Sequence, residues 1–116
     1  DRVQRSSGGR GVPIPLITAV SASVSGGTVT FTWTTDIKSD SGWEAWPTYS
    51  TYASRVSRQA PGDNVTSHSI IGDSTDGLVD SVYYYQVVSR APSGPAATSA
   101  VYTFVLGFDG LLLMQP

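Results

Sequence analysis

Cysteine is missing from all 116 residues, which excludes disulfide staples, thiolate metal sites and cysteine nucleophiles. Glutamate and histidine occur once each, as Glu44 and His68, too few ligands for metal-dependent hydrolysis. Lysine and methionine are also single, as Lys38 and Met114. Charged residues make up only 14% of the chain. No apolar run approaches the about 18 residues that span a bilayer, and no secretory leader is legible at the start. Good helix formers are scarce, and no stretch carries a helical period of useful length.

What remains is rich in Val, Thr, Ser, Gly and Tyr, residues suited to a pleated, half-buried surface. Hydrophobic residues make up 40%, enough for one all-β domain with a single core that buries roughly two-thirds of the unfolded surface.

The charges are unevenly placed. Arg2, Arg5 and Arg10 sit in DRVQRSSGGRGVP, residues 1–13, opposed only by Asp1. From position 11 onward four basic residues face eight acidic ones. The chain therefore reads as a flexible basic arm on an acidic body. Three arginines do not make the clustered basic face that nucleic acid requires; they suit an acidic protein neighbour, including another copy of the same body.

The stretch TVTFTWTT alternates Val29, Phe31 and Trp33 with threonines and predicts a half-buried strand. Before it, a strand over 14–24 starts behind Pro13 and Pro15, which confine it to an edge, and Gly26-Gly27 makes the turn. Further strands are expected at 41–46, stopped by Pro47, at 52–56, at 65–71, at 82–89 and at 99–106. Turns are expected at 36–40, at 58–64 around Pro61-Gly62-Asp63, in GDSTDG and at 91–95. About seven short strands with frequent turns are the pattern of a β-sandwich.

The ordered series TVTFTWTTDIKSDSGWEAW … HSIIGDSTDGLVDSVYYYQVVSRAPSGPAATSAVYTF resembles a fibronectin type III domain, in the variety that precedes purple acid phosphatase catalytic domains and occurs in bacterial surface proteins. The likeness runs from about Ile17 to Phe104. It implies an immunoglobulin-like sandwich over 14–106 with terminal arms at 1–13 and 107–116. It places Trp33 at the buried second-strand tryptophan, Trp43 and Ala45 inward on the third strand, and Leu78 with Tyr83 or Tyr84 at a tyrosine corner. Asp80-Ser81 replaces the usual Pro-Gly, the leucine-to-tyrosine spacing is one residue short, and RQAPGDN looks like a local insertion. No catalytic residue carries over, because those of the phosphatases lie in another domain.

Candidate sites are few. His68, in TSHSI, is expected to be a half-exposed strand histidine, and no nucleophile-elbow pattern surrounds any serine. Asp73, Asp76 and Asp80 lack the spacing of a calcium loop and suit tight turns. No cofactor or metal is expected. Asn64-Val65-Thr66 is a glycosylation sequon that matters only on a secretory route.

SGWEAWPTYSTY, residues 41–52, spaces Trp43, Trp46, Tyr49 and Tyr52 three apart, which fits neither a strand nor a helix. Strand parity turns Trp43 inward and Trp46 outward, so Trp46, Tyr49 and Tyr52 form a candidate contact surface of the kind that dominates protein interfaces; the alternative is that these rings fold back over a small core. The tail LGFDGLLLMQP, residues 107–116 with the preceding Leu106, offers Phe108, Leu111, Leu112, Leu113 and Met114 as an apolar fastening or as a linker to a further domain.

The sequence thus predicts a non-catalytic structural module. Its arms dock it onto protein subunits of a larger extracellular assembly, such as a virion surface or a cell-surface appendage. The alternatives are an accessory domain of a secreted, metallophosphoesterase-type hydrolase, and a carbohydrate-binding module that uses the exposed aromatics.

Overall fold

The computed structural model describes residues 13–107. Arg2, Arg5 and Arg10, and Phe108, Leu111, Leu112, Leu113 and Met114, lie outside the described residues. The described chain is all-β and antiparallel, with strands β1 (Ile17–Ser25), β2 (Thr28–Pro47), β3 (Val56–Gly72), β4 (Ser81–Arg90), β5 (Ala96–Thr98) and β6 (Tyr102–Leu106). Two single-turn 3-10 helices, Tyr52–Ser54 and Ser74–Asp76, sit in the connections.

β2 is central. Its first half, from Thr28, pairs with β1 on one side and with the C-terminal half of β3 on the other. Its second half, Gly42–Pro47, pairs with β4 and with the N-terminal half of β3. β5 and β6 both continue the ladder from β4. β1 pairs with β2 alone, the edge position that Pro13 and Pro15 predict.

The alternation in TVTFTWTT holds: Val29, Phe31 and Trp33 are buried while Thr32 and Thr34 face solvent. Phe31 shows how the core closes. Its ladder partners are Ala22 and Ile70, yet its ring also stacks on Trp43 at 4.9 Å and meets Tyr85 at 5.1 Å and Phe104 at 5.5 Å. These rings come from the other half of β2, from β4 and from β6. The two halves of the long strand therefore pack over a shared cluster that also takes in Ala45, Leu78, Val87 and Leu106. Each aromatic pair adds about 0.5–1.5 kcal/mol beyond the area it buries.

Tyr83, not Tyr84, reaches back along the chain. Its hydroxyl accepts the Val79 N–H and donates to the Val79 carbonyl, both at 3.0 Å. The shortened spacing from Leu78 is absorbed by the loop, and parity leaves Tyr84 on the outer face.

Four expectations are corrected. The turn at 36–40 does not form, because β2 runs through it for 20 residues. Asp36, expected to turn the chain on itself, instead grips the chain ahead of β1: its carboxylate accepts the Leu16 N–H at 2.7 Å and its own N–H donates to the Leu16 carbonyl at 3.3 Å. Register shifts on either side of Ser39 bend the strand instead.

The loop expected at 58–64 belongs to β3. Ala60 pairs with Ser41 and Val65 with Ser39, so Pro61 to Asn64 bulge against Asp40, and a bulge is where a strand tolerates proline. The strand expected at 52–56 is a 3-10 turn.

The last strand is divided at Ser99. There the serine hydroxyl takes the place of a backbone acceptor, receiving the Val87 N–H at 3.0 Å and donating to the Ala100 carbonyl at 2.7 Å. The described strands number six rather than about seven.

Candidate functional site

The even-numbered residues at the end of β2 point away from the core, and Glu44 and Trp46 are its outward pair. Glu44 is a hub. Its Oε1 accepts the Tyr52 hydroxyl and the Gln86 amide, each at 2.8 Å, and Arg55 Nε lies 3.7 Å from Oε2. The Arg55 guanidinium covers the Tyr52 ring at 4.2 Å. Donation to the Glu44 carboxylate pushes the Tyr52 phenol above its ordinary pKa, since ionisation would break that bond and oppose two negative charges.

This arrangement answers the spacing of three. Trp43 lies in the core, fully buried, and its indole N–H donates to the Ile71 carbonyl at 3.0 Å. Trp46 faces outward as parity requires, but it is not open: only 9% of its surface is exposed. The Tyr52 ring stands edge-on to it at 5.0 Å and Tyr84 leans on it at 6.0 Å. The reason is the 3-10 turn at Tyr52–Ser54, which folds Tyr52 back and anchors it on Glu44. Tyr52 keeps 43% of its surface exposed and Tyr49 keeps 78%. The expected three-ring surface is thus one covered tryptophan, one half-covered tyrosine and one open tyrosine. Beside them Tyr84, Val82 and Val105 remain partly exposed on β4 and β6. The face presents ring edges and aliphatic groups around a polar hub whose hydrogen bonds are already made internally.

A second cluster was not legible as such in the sequence. His68 is buried, 2% exposed, against the expectation of a half-exposed side chain. Its ring lies parallel to Trp33, with centroids 4.9 Å apart and planes 5° from parallel. Nε2 is 2.8 Å from the Thr35 hydroxyl, and Nδ1 is 2.8 Å from the Ser41 hydroxyl. Ser39 adds its hydroxyl 3.1 Å from that of Thr35. The Trp33 indole donates to Ser89 at 2.8 Å. Burial pushes the His68 pKa down. Thr35, Ser39, Ser41 and Ser89 are each 2% exposed or less, so this histidine and its serines meet one another and not an external substrate. The signal that could have found them is parity, since 29, 31, 33 and 35, and then 39, 41, 43 and 45, are all odd; the small polar residues concealed it.

Two of the three aspartates of GDSTDGLVD, Asp73 and Asp76, are engaged in structure. Asp73 caps the second 3-10 turn, accepting from Thr75 N at 2.9 Å and Thr75 Oγ1 at 2.6 Å, and these bonds hold its carboxyl below the usual range. Asp76 accepts the Asp73 N–H at 3.0 Å and pairs bidentately with Arg58, at 2.9 and 2.8 Å. Among the described residues no group of three or more His, Cys, Asp or Glu side chains gathers as a metal site. An open groove between the Pro61–Asn64 bulge and the Ala91–Ser93 turn is lined by Asp40, Asp63 and Arg90, where the Asp40 carboxylate already accepts the Arg90 N–H at 2.8 Å. No described helix is long and apolar enough to cross a membrane.

Comparison of the chain with protein-family models, with curated proteins and with solved structures finds no match in any of the three.

Proposed function

We propose that this chain is a fibronectin type III-like β-sandwich serving as a non-catalytic interaction module, held in a larger extracellular assembly such as a virion surface or a cell-surface layer by its two terminal arms. Three features support the sandwich. One long strand pairs with different neighbours through its two halves, rings from both halves meet in one core, and a tyrosine hydroxyl bonds the backbone four residues upstream, as in a tyrosine corner. The partners in this reading are protein subunits, including further copies of the chain.

The observation that carries the docking role is apolar surface at the roots of both arms. Ile14 and Leu16 are 58% and 62% exposed just before β1. At the other end Val105 is 40% exposed on the last strand. Exposed aliphatic side chains where the arms join the body are groups that a partner can cover. His68, Thr35, Ser39 and Ser41, by contrast, are engaged with one another inside the body.

Removal of residues 107–116 tests the reading. The truncated chain is expected to keep a cooperative unfolding transition and to lose incorporation into its parent assembly, measured by co-sedimentation with that assembly. A truncated chain that is incorporated at the level of the intact one overturns the docking role.

A further inference from the structure

The buried cage around His68 has a direction to its hydrogen bonds. Thr35 Oγ1 donates its only proton to the Ile37 carbonyl at 2.8 Å. Toward His68 it can therefore only accept, so Nε2 carries the ring proton. Nδ1 is then a bare lone pair, and the Ser41 hydroxyl, 2.8 Å away, donates to it. Ser39 completes the set by donating to the second lone pair of Thr35, 3.1 Å away. In this arrangement every group is satisfied with a neutral imidazole.

A second proton has no place. It would sit on Nδ1, pointing at Ser41, and the Ser41 hydroxyl would have to turn its own hydrogen elsewhere. Among the described residues the bond to Nδ1 is the only one that hydroxyl makes, and at 1% exposure water does not reach it. The added charge would have little solvent around it, although the π face of Trp33, stacked 4.9 Å away, attracts a cation. The charged groups on the surrounding strands are Asp36, Lys38, Asp40 and Glu44 on β2, Arg58 and Asp63 on β3 and Arg90 on β4, of which Asp63 and Asp40 act on the ring. Asp63 and Asp40 favour the charged ring, but the loss of solvation outweighs them.

The position of the cage gives this chemistry a structural consequence. Thr35, Ser39 and Ser41 lie on the bend of β2, on both sides of the register shifts, where regular ladder pairing with β3 is interrupted. His68 on β3 replaces the missing backbone bonds with side-chain bonds and so joins the two halves of the molecule at their crossing.

We propose that His68 is an acid-sensitive latch, holding the crossing segment Thr35–Ser41 of β2 against β3 while neutral and releasing it when protonated. The sign follows from linkage. The unfolded chain takes up this proton near the ordinary histidine value of about 6.5, whereas the folded chain resists it to lower pH. Stability is therefore full above about pH 6.5 and falls as the pH drops through the interval down to the folded value. The latch does not depend on the docking role.

The test uses the full chain. As the only histidine, His68 gives a single imidazole C2–H resonance, which is expected to titrate below the free-histidine midpoint. The urea midpoint of the wild-type protein is expected to fall between about pH 7.5 and pH 5, above the range of ordinary carboxylates, and that of H68Q to stay level. Amide-exchange protection at Ser39 and Ser41 is expected to drop on acidification by at least about tenfold more than at Tyr83 and Val87. A folded-state midpoint at or above the free value overturns the proposal. So does an equal loss of protection at both pairs of amides, or the same pH dependence in H68Q. If H68Q does not fold, the wild-type resonance and the wild-type exchange pattern decide alone.

Discussion

Trp46 and Tyr49 are three residues apart and carry similar rings, but they differ in what a truncation removes. Trp46 is wedged between Tyr52 and Tyr84, so Trp46→Ala is expected to lower the unfolding free energy by about 3 kcal/mol. Tyr49, 78% exposed, can lose its ring at a cost within about 0.5 kcal/mol. Urea denaturation of the two variants measures the difference, and equal effects would show that Trp46 is not packed as described. Gly72 is a second discriminating position. A methyl group there would stand 2.6 Å from Trp43 Cζ2 and 3.0 Å from Leu78 Cδ1. Both neighbours are core residues with nowhere to move, so Gly72→Ala is expected to cost about 1–3 kcal/mol. At Gly62 a methyl group meets nothing within 4 Å, and Gly62→Ala, unfolded under the same conditions, is the control that should differ little from wild type.

Among the elements, the connection into β4 depends on one hydroxyl. Tyr83→Phe would leave both the N–H and the carbonyl of Val79 without their partner, a loss of about 1–3 kcal/mol. Tyr84→Phe, whose hydroxyl has no such role, should change little. Thermal unfolding of this pair assigns the corner, and the reverse order of effects would move it to Tyr84. Much of this level was readable in the residues themselves. The alternation of TVTFTWTT identified the first half of β2 and its inward face, because a period of two follows from backbone geometry whatever the strand pairs with. Element ends were read less well. Asp36 and the Pro61-Gly62-Asp63 run are strong turn residues in isolation, but here Asp36 bonds to Leu16, 20 residues away, and the proline run is held as a bulge opposite Asp40. Turn propensity is local, and both segments were settled by distant partners.

For the whole molecule, the contrast between an acidic body and a basic leading arm is a property of composition, and so is the excess of residues that favour strands. The exposure of Trp46, Tyr49 and Tyr52 is not: it was set by the fold of a three-residue turn and by the Glu44 hub that pins Tyr52. The same holds for the buried polar cage, whose members bond across 33 and 27 residues of chain. A serine or histidine is stable inside a core only when its polar atoms find partners there, and nothing local announces whether they will.

Side-chain alternation, strand-favouring composition and the sparse supply of acid, base and metal ligands determined that this chain is a β protein with an aromatic core around Phe31, Trp33 and Trp43, since these follow from covalent geometry and residue chemistry alone. Tertiary structure decided the rest: that β2 runs unbroken across the molecule, that the Tyr83 hydroxyl bonds to Val79, that Trp46 is covered and that His68 is enclosed. Each of these depends on which distant group satisfies a hydrogen bond or fills a space, and that is settled only when the strands have come together.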